Sequence, residues 1–416
     1  MTSNAKRRYK ILFFVLPKTS KDDGVKKDKT FYKRTKHWII GGVSILIGAI
    51  VAVYLKNNHE FVIDISNKVS EYINRYRSPE ITSLEVHHIG FLKVHKAGGS
   101  TVQNVLFRFG LKRRLSFVMP IKGSQYKFST YGGKCAQLFK SKSGYHDILA
   151  LHSVFNESVY RQILPNDSVN IAIVREPLSL MISGAYFHRD IWKIQYLEVV
   201  PKDNFIKNLI RYPELYDPNE FSLTRNSMAM DFGFPRGFHV TDTAKIENYL
   251  EYLQSKFPLV MLVEHFDESM ILLKRLLHWR LEDMLYIPLN VYKHPTEKEL
   301  NISVIDRKKF QERNFLDVAI YRFFKEKFIQ TVSSLGTEFQ NEVEYFRKIR
   351  ISVEEYCVSK RQQKVTFVIE ESKWNKQAVV LPSDCEAMLT NELDFIDKIR
   401  AVMRQNKAGK RLSSVT

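Results

Sequence analysis

The stretch KVHKAGGST, residues 93–101, sets Lys93, His95 and Lys96 against two glycines, a serine and a threonine. Glycine lets a backbone approach an anion closely, and a helix starting at such a loop offers free N–H groups and a partial positive charge. Ala97, Gly98, Gly99, Ser100 and Thr101 therefore read as an anion cradle, with Lys96 adding a full charge at its mouth. A short glycine loop is also a common structural turn, and on the loop alone the two readings stand level. In an ATP-binding P-loop the lysine follows the glycines, whereas here it precedes them. That order, with no evident magnesium carboxylate, disfavours a nucleotide-dependent kinase.

A second pair sharpens the reading. Arg175 is followed eight residues later by Ser183. With a helix starting near Pro177, Ser183 lies about two turns in, within reach of an anion held at the helix start. Arginine supplies a rigid fork suited to phosphate. Taken singly, Arg175 fits a surface salt bridge and Ser183 a solvated helix residue just as well.

These residues must be held by strand ends. HIGFLKV (88–94) reads as a buried strand running into the loop. STVQNVLFRFG (100–110) places Val102, Val105, Leu106 and Phe109 at helical spacing, with Gly110 as a stop. DILAL (147–151) is a short strand ending at His152, and SVNIAIV (168–174) is another ending at Arg175. PLVMLVE (258–264) is a fourth. It meets FDESMILLKRLLHW (266–279), where Asp267 can cap a helix bearing Met270, Leu273, Leu276 and Leu277. Strands alternating with helices predict an α/β fold, a mostly parallel central sheet with helices on both faces. Ligands bind at the carboxyl ends of such strands, where the loop, His152 and Arg175 all fall. Residues 310–350 read as long charged helices, and residues 401–416 as a loose tail.

The chain has 416 residues, 44% of them hydrophobic, with 28 Phe and 20 Tyr, so it can bury a sizeable core and is not globally disordered. Its net charge of +19 invites a nucleic-acid reading. The location argues against one, because residues 1–36 hold 12 Lys/Arg against 3 Asp, almost half the excess. Directly after comes HWIIGGVSILIGAIVAVYL, His37–Leu55, 19 residues without a charged side chain. It is long enough to come close to spanning a bilayer core of about 30 Å. Lys33, Arg34 and Lys36 flank its N-terminal side, which the positive-inside rule puts in the cytoplasm. A buried core helix and a cleaved signal peptide are the lesser alternatives. The expected order is a basic cytoplasmic tail (1–36), a single transmembrane signal-anchor (37–55), a luminal stem (56–86) and a catalytic domain (87–400). Sequons at Asn156, Asn166 and Asn301 suit the luminal side. Three cysteines, Cys135, Cys357 and Cys385, allow at most one internal disulfide, and the nearness of Cys357 to Cys385 favours that pair. No CxxC pair or Cys/His cluster suggests a metal site.

The loop and the Arg–Ser pair together resemble the 5′- and 3′-phosphate sites of Golgi sulfotransferases that use 3′-phosphoadenosine 5′-phosphosulfate (PAPS). Among these the chain is most similar to the galactose-3-O-sulfotransferases. The resemblance is carried by FLKVHKAGGSTVQNVLFRFG (91–110), VREPLSLMISGAYF (174–187), LYDPNEF (215–221) and FDESMILLKRLLHWRLEDMLYIPLN (266–290), in order over roughly 85–330. It implies a P-loop-like sulfotransferase fold behind the N-terminal transmembrane helix. It also implies PAPS as co-substrate without a metal, and a galactose-containing glycolipid or glycan as acceptor. The setting it implies is the Golgi membrane, single-pass type II, with a homodimer as a further expectation and no nucleic acid. The sequence departs from the family pattern at Val94, Gly98 and Gly99, where hydroxyl or alanine side chains are usual, and at Glu176, where Asp is usual.

The resemblance also suggests roles. Lys96 stabilises the leaving phosphate oxygen, and Lys93 adds positive potential or is merely solvated. The acceptor hydroxyl needs a base near neutrality, which points to histidine. His152 matches a histidine of related sulfotransferases and is the first choice, with His95 second; each can instead orient or pack the loop. Asp217 and Asn219 can meet sugar hydroxyls or form an ordinary turn, and Glu264 can face the cleft or form an ion pair. A sulfotransferase for a uronic acid or hexosamine, and a non-catalytic binder of the desulfated donor or glycan, are the rivals.

Overall fold

The computed structural model describes residue 76 and residues 84–121, 138–141, 143–289, 292–359 and 366–412. All of them belong to one compact unit, Glu71–Thr416. Four strands, β1 (Ile89–Leu92), β2 (Ile148–Leu149), β3 (Val169–Val174) and β4 (Leu259–Leu262), form a sheet of order β2-β1-β3-β4 with every pair parallel. β1 and β4 are buried along their whole length. β1 lies inside the sheet and β4 at its edge, and cover on both faces explains the near-continuous apolar run of each.

The connections carry helices, as the alternation predicts. α1 (Gly99–Lys112) follows β1, α2 (Glu157–Ile163) follows β2, and α3 (Pro177–Asp190) follows β3 with its proline in the first turn. α4 (Phe205–Arg211), α5 (Ser227–Asp231) and α6 (Thr243–Lys256) lead to β4, and α7 (Phe266–Leu277) leaves it after a 3-10 turn. α8 (Val304–Arg313) and α9 (Phe315–Val358) bear out the long helical stretch, with a break at Gly336 (φ 68°). A two-stranded antiparallel ribbon, β5 (Phe367–Ile369) and β6 (Ala378–Val380), precedes α10 (Pro382–Leu389) and α11 (Glu392–Leu412). In the order β2-β1-β3, successive crossovers leave β1 toward opposite sides. The crevice between the carboxyl ends of β1 and β3 is therefore the switch point where ligands bind in such sheets.

Several expectations change. Gly110 does not stop α1, which runs on to Lys112. A Cβ at Gly110 would stand 2.5 Å from the Phe117 ring and 2.7 Å from Ile148, so the glycine serves close packing of helix on sheet. Asp267 does not cap α7; it lies inside the first turn and accepts from Tyr286 and Arg347. Residues 401–412 continue α11 where a loose tail was expected. Within the expected stem, Tyr76 is wholly buried in the core, and Val86 pairs with Leu277 and Trp279. Cys357 and Cys385 form the favoured disulfide, 2.03 Å between sulfurs, whereas Cys135 lies outside the described residues. The expected transmembrane segment 37–55 and tail 1–36 also lie outside them. Among the described residues no helix is long and apolar enough to cross a membrane.

Candidate active site

The loop after β1 is shaped by two left-handed residues, Lys96 (φ 58°) and Gly98 (φ 68°). For a lysine this conformation is strained, by about 1–3 kcal/mol, and surrounding contacts must enforce it. One is visible: Arg175, from the end of β3, donates Nη1–H to the Lys96 carbonyl at 3.1 Å. Gly98 is the N-cap of α1, and no acidic residue stands in that helix's first turn, so its free N–H groups keep their positive end. The stem of Lys93 lies beneath Gly99; a Cβ there would fall 2.6 Å from Lys93 Cγ. Gly99 therefore fits this chain's own buried lysine, which a side chain at that position would displace.

The cations divide into two kinds. Lys93, only 2% exposed, is neutralised by Glu392 and also donates to Gln103 at 3.0 Å. It is a buried ion pair, so the solvated role does not fit, while its charge still acts on Lys96 and His152. Lys96 has no carboxylate partner among the described residues, and its ammonium lies 3.5 Å from the centroid of the Phe187 ring. Burial, with the Arg175 charge beside it, pulls Lys96 down to about 8. A half-buried ammonium without a counter-ion fits an anionic ligand. The side-chain hydroxyls of the loop are already engaged: Ser100 donates to Glu392 at 2.6 Å, and Thr101 accepts from Leu289 N–H at 3.1 Å. The cradle thus offers mainly backbone donors. Ser183 lies buried on α3, one residue before Gly184, which packs toward the Lys96 stem.

Three histidines gather here. His95 and His152 stack with ring centroids 4.0 Å apart. The buried Asp231 at the end of α5 accepts both the main-chain N–H of His95 and its Nδ1–H. His152 donates Nδ1–H to the Lys93 carbonyl at 2.9 Å. Burial, reinforced by His95 and Lys93, drives His152 well below the usual imidazole range. His188 on α3 is pulled down to about 3 by burial, with His95 and Lys96 adding to it, and its buried Nε2 lacks a hydrogen-bond partner. Both tautomer assignments follow from the acceptors the rings face. Among the described residues no group of three His, Cys, Asp or Glu could hold a metal.

The acceptor candidates border this cluster: Leu223 and the Lys96 stem both pack toward Gly184, and Glu264 acts on the Arg175 charge. Asp217 is buried; Ser222 at 2.5 Å and Thr224 at 2.6 Å both donate to its Oδ2, while its buried Oδ1 has no hydrogen-bond partner among the described residues. Asn219 is exposed, and its carbonyl receives Arg225. Glu264 accepts the Glu176 N–H at 2.7 Å and joins the end of β4 to the start of α3. Asn156, Asn166 and Asn301 are all exposed; Asn156 also caps α2 through its side chain. Sequence reasoning missed Asp231, His188 and Glu392. Asp231 is 136 residues from His95, and Glu392 is 299 from Lys93, so no local pattern links them.

A family model described as galactose-3-O-sulfotransferase matches residues 25–375. Galactosylceramide sulfotransferase of Homo sapiens is 32% identical over 257 residues, 60% of this chain and 59% of that protein. The Mus musculus galactosylceramide sulfotransferase is 27% identical over 346 residues, 77% of this chain and 80% of that protein. Galactose-3-O-sulfotransferase 3 of Mus musculus is 30% identical over 259 residues, 60% of this chain and 58% of that protein. The chain thus spans under two thirds of the length of two of these relatives.

Proposed function

Because the chain belongs to the galactose-3-O-sulfotransferase family, whose model spans most of it, we propose that it moves a sulfuryl group from PAPS to the 3-hydroxyl of a galactose in a glycolipid or glycoprotein glycan. The observation that carries this reading is Lys96. It is the loop's one ammonium without a carboxylate partner among the described residues, held at a helix start between Arg175 and a histidine pair. PAPS supplies an activated SO3 group whose transfer leaves charge on a phosphate oxygen and frees a hydroxyl proton. Lys96 and the N–H groups that open α1 hold the 5′-phosphate end and answer that charge. Arg175 with Ser183 takes the 3′-phosphate, and next to Arg175 in the chain Glu176 and Pro177 line a cleft that also holds Arg322 and Lys325.

His95 accepts the hydroxyl proton. Its Nδ1–H is committed to Asp231, which leaves Nε2 with the lone pair, and the carboxylate compensates the imidazolium that forms. His152, first on the sequence reading, is buried with its Nδ1–H on the Lys93 carbonyl, which supports His95 as the base and His152 as its stacked support. The setting we propose is the Golgi membrane. His37–Leu55 is the anchor, and the exposed sequons and the Cys357–Cys385 disulfide support a luminal location. The test is transfer of labelled sulfate from PAPS by the full-length chain to a panel of sugars.

A further inference from the structure

The C-terminal segment reaches into the loop that heads α1. The Cys357–Cys385 disulfide ties α10 to α9, and Asn104 on α1 donates to the carbonyls of Ala387 and Thr390 at 2.9 and 3.3 Å. Two residues on, Glu392 opens α11. One oxygen of its carboxylate accepts from the buried Lys93 ammonium, and the other accepts from Ser100 Oγ. Lys93 in turn floors Gly99 with its stem and receives the His152 ring N–H on its carbonyl. A single carboxylate therefore fixes the lysine under the loop and the first-turn hydroxyl of α1. Through the Lys93 backbone it also fixes the ring of His152. Glu392 lies past residue 375, where the family match ends.

We propose that Glu392 is a positioning residue of the donor loop, through which the C-terminal helix locks the loop in its anion-binding shape. The proposal rests on reading that loop as the donor site. With Lys93 paired to Glu392, the cradle presents Lys96 as its ammonium without a carboxylate ion pair among the described residues. With the Ser100 proton given to Glu392, an anion is met by backbone N–H groups. Without the carboxylate, a buried ammonium must shed its proton or drag the loop toward water.

The test uses the full-length chain as Glu392→Gln, Lys93→Met and the double variant. The readouts are amide exchange in residues 93–104, calorimetric binding of 3′-phosphoadenosine 5′-phosphate, and the acceptor KM. Glu392→Gln is expected to speed exchange in 93–104 about tenfold and weaken nucleotide binding about tenfold, with the acceptor KM within about twofold of wild type. The double variant, which leaves no buried ammonium, is expected to recover both. Unchanged exchange in 93–104 overturns the proposal. So does tighter nucleotide binding, which makes the carboxylate a competitor of the anion, or a double variant no better than the single. Should Glu392→Gln not fold, Glu392→Asp, which keeps the charge and shortens its reach, carries the same expectation at smaller size. A wild-type chain that binds no nucleotide refutes the donor reading, and the exchange readout then decides the role of Glu392 alone.

Discussion

Asp231 holds His95 at two points: its carboxylate accepts the main-chain N–H at 2.8 Å and the ring Nδ1–H at 2.9 Å. The loop's path and the histidine's tautomer are thus set by one buried group. Asp231→Asn is expected to lower kcat about a hundredfold, the scale of positioned proton transfer, while the KM for PAPS stays within about twofold. A variant that raises the PAPS KM and keeps kcat contradicts the assignment.

The two stacked rings are separable by their loss. His95→Ala is expected to cost about 10²–10⁴ in kcat with nucleotide affinity retained. His152→Ala removes a neutral support and is expected to cost only about tenfold. Single-turnover rates of both variants decide the matter; the reverse order makes His152 the base.

Lys96 gives the donor site a pH limit. Burial lowers it to about 8, and only the protonated form attracts a phosphate, so affinity falls as pH rises through about 8. Lys96→Arg keeps its charge and is expected to remove the alkaline fall. The check is the dissociation constant of 3′-phosphoadenosine 5′-phosphate against pH. An identical alkaline limb in wild type and variant assigns it to another group.

Asp317 bears on the same site from below. It accepts the N–H groups of Ala229 and Met228 at 2.8 and 3.3 Å and so anchors α5, which carries Asp231. Burial raises its carboxyl from 3.8 to about 7. A raised folded pKa means its contribution is full below the unfolded value and is lost as pH rises through about 7. Asp317→Asn removes that titration. Its stability relative to wild type is expected to grow by a few kcal/mol between about pH 4 and 8, at about 1.4 kcal/mol for each pH step over which only the folded carboxyl keeps its proton. Parallel denaturation curves across this range contradict the assignment.

The strands that carry the site were legible because β1 and β4 are apolar runs, and β3 is one but for Asn170, all leading into the residues of interest. The loop, Arg175 and the histidine pair could be read from strand ends alone. What escaped are partners supplied from afar. Asp231 and Glu392 sit in segments with no motif, and their meaning exists only once the chain folds them against His95 and Lys93. Gly110 and Asp267 misled for a related reason. Each has a residue type that ends or starts helices, and in each case a tertiary contact, Phe117 for one and Arg347 for the other, decides its use.

Label transfer by the purified full-length chain bears most directly on the proposed reaction. The chain is incubated with sulfur-labelled PAPS and a panel of galactosides, glucuronides and hexosaminides, and the product position is mapped. Label is expected on galactose, at the 3-hydroxyl, and is expected to be lost in His95→Ala. No transfer to any galactoside by a chain that binds the nucleotide contradicts the proposed reaction.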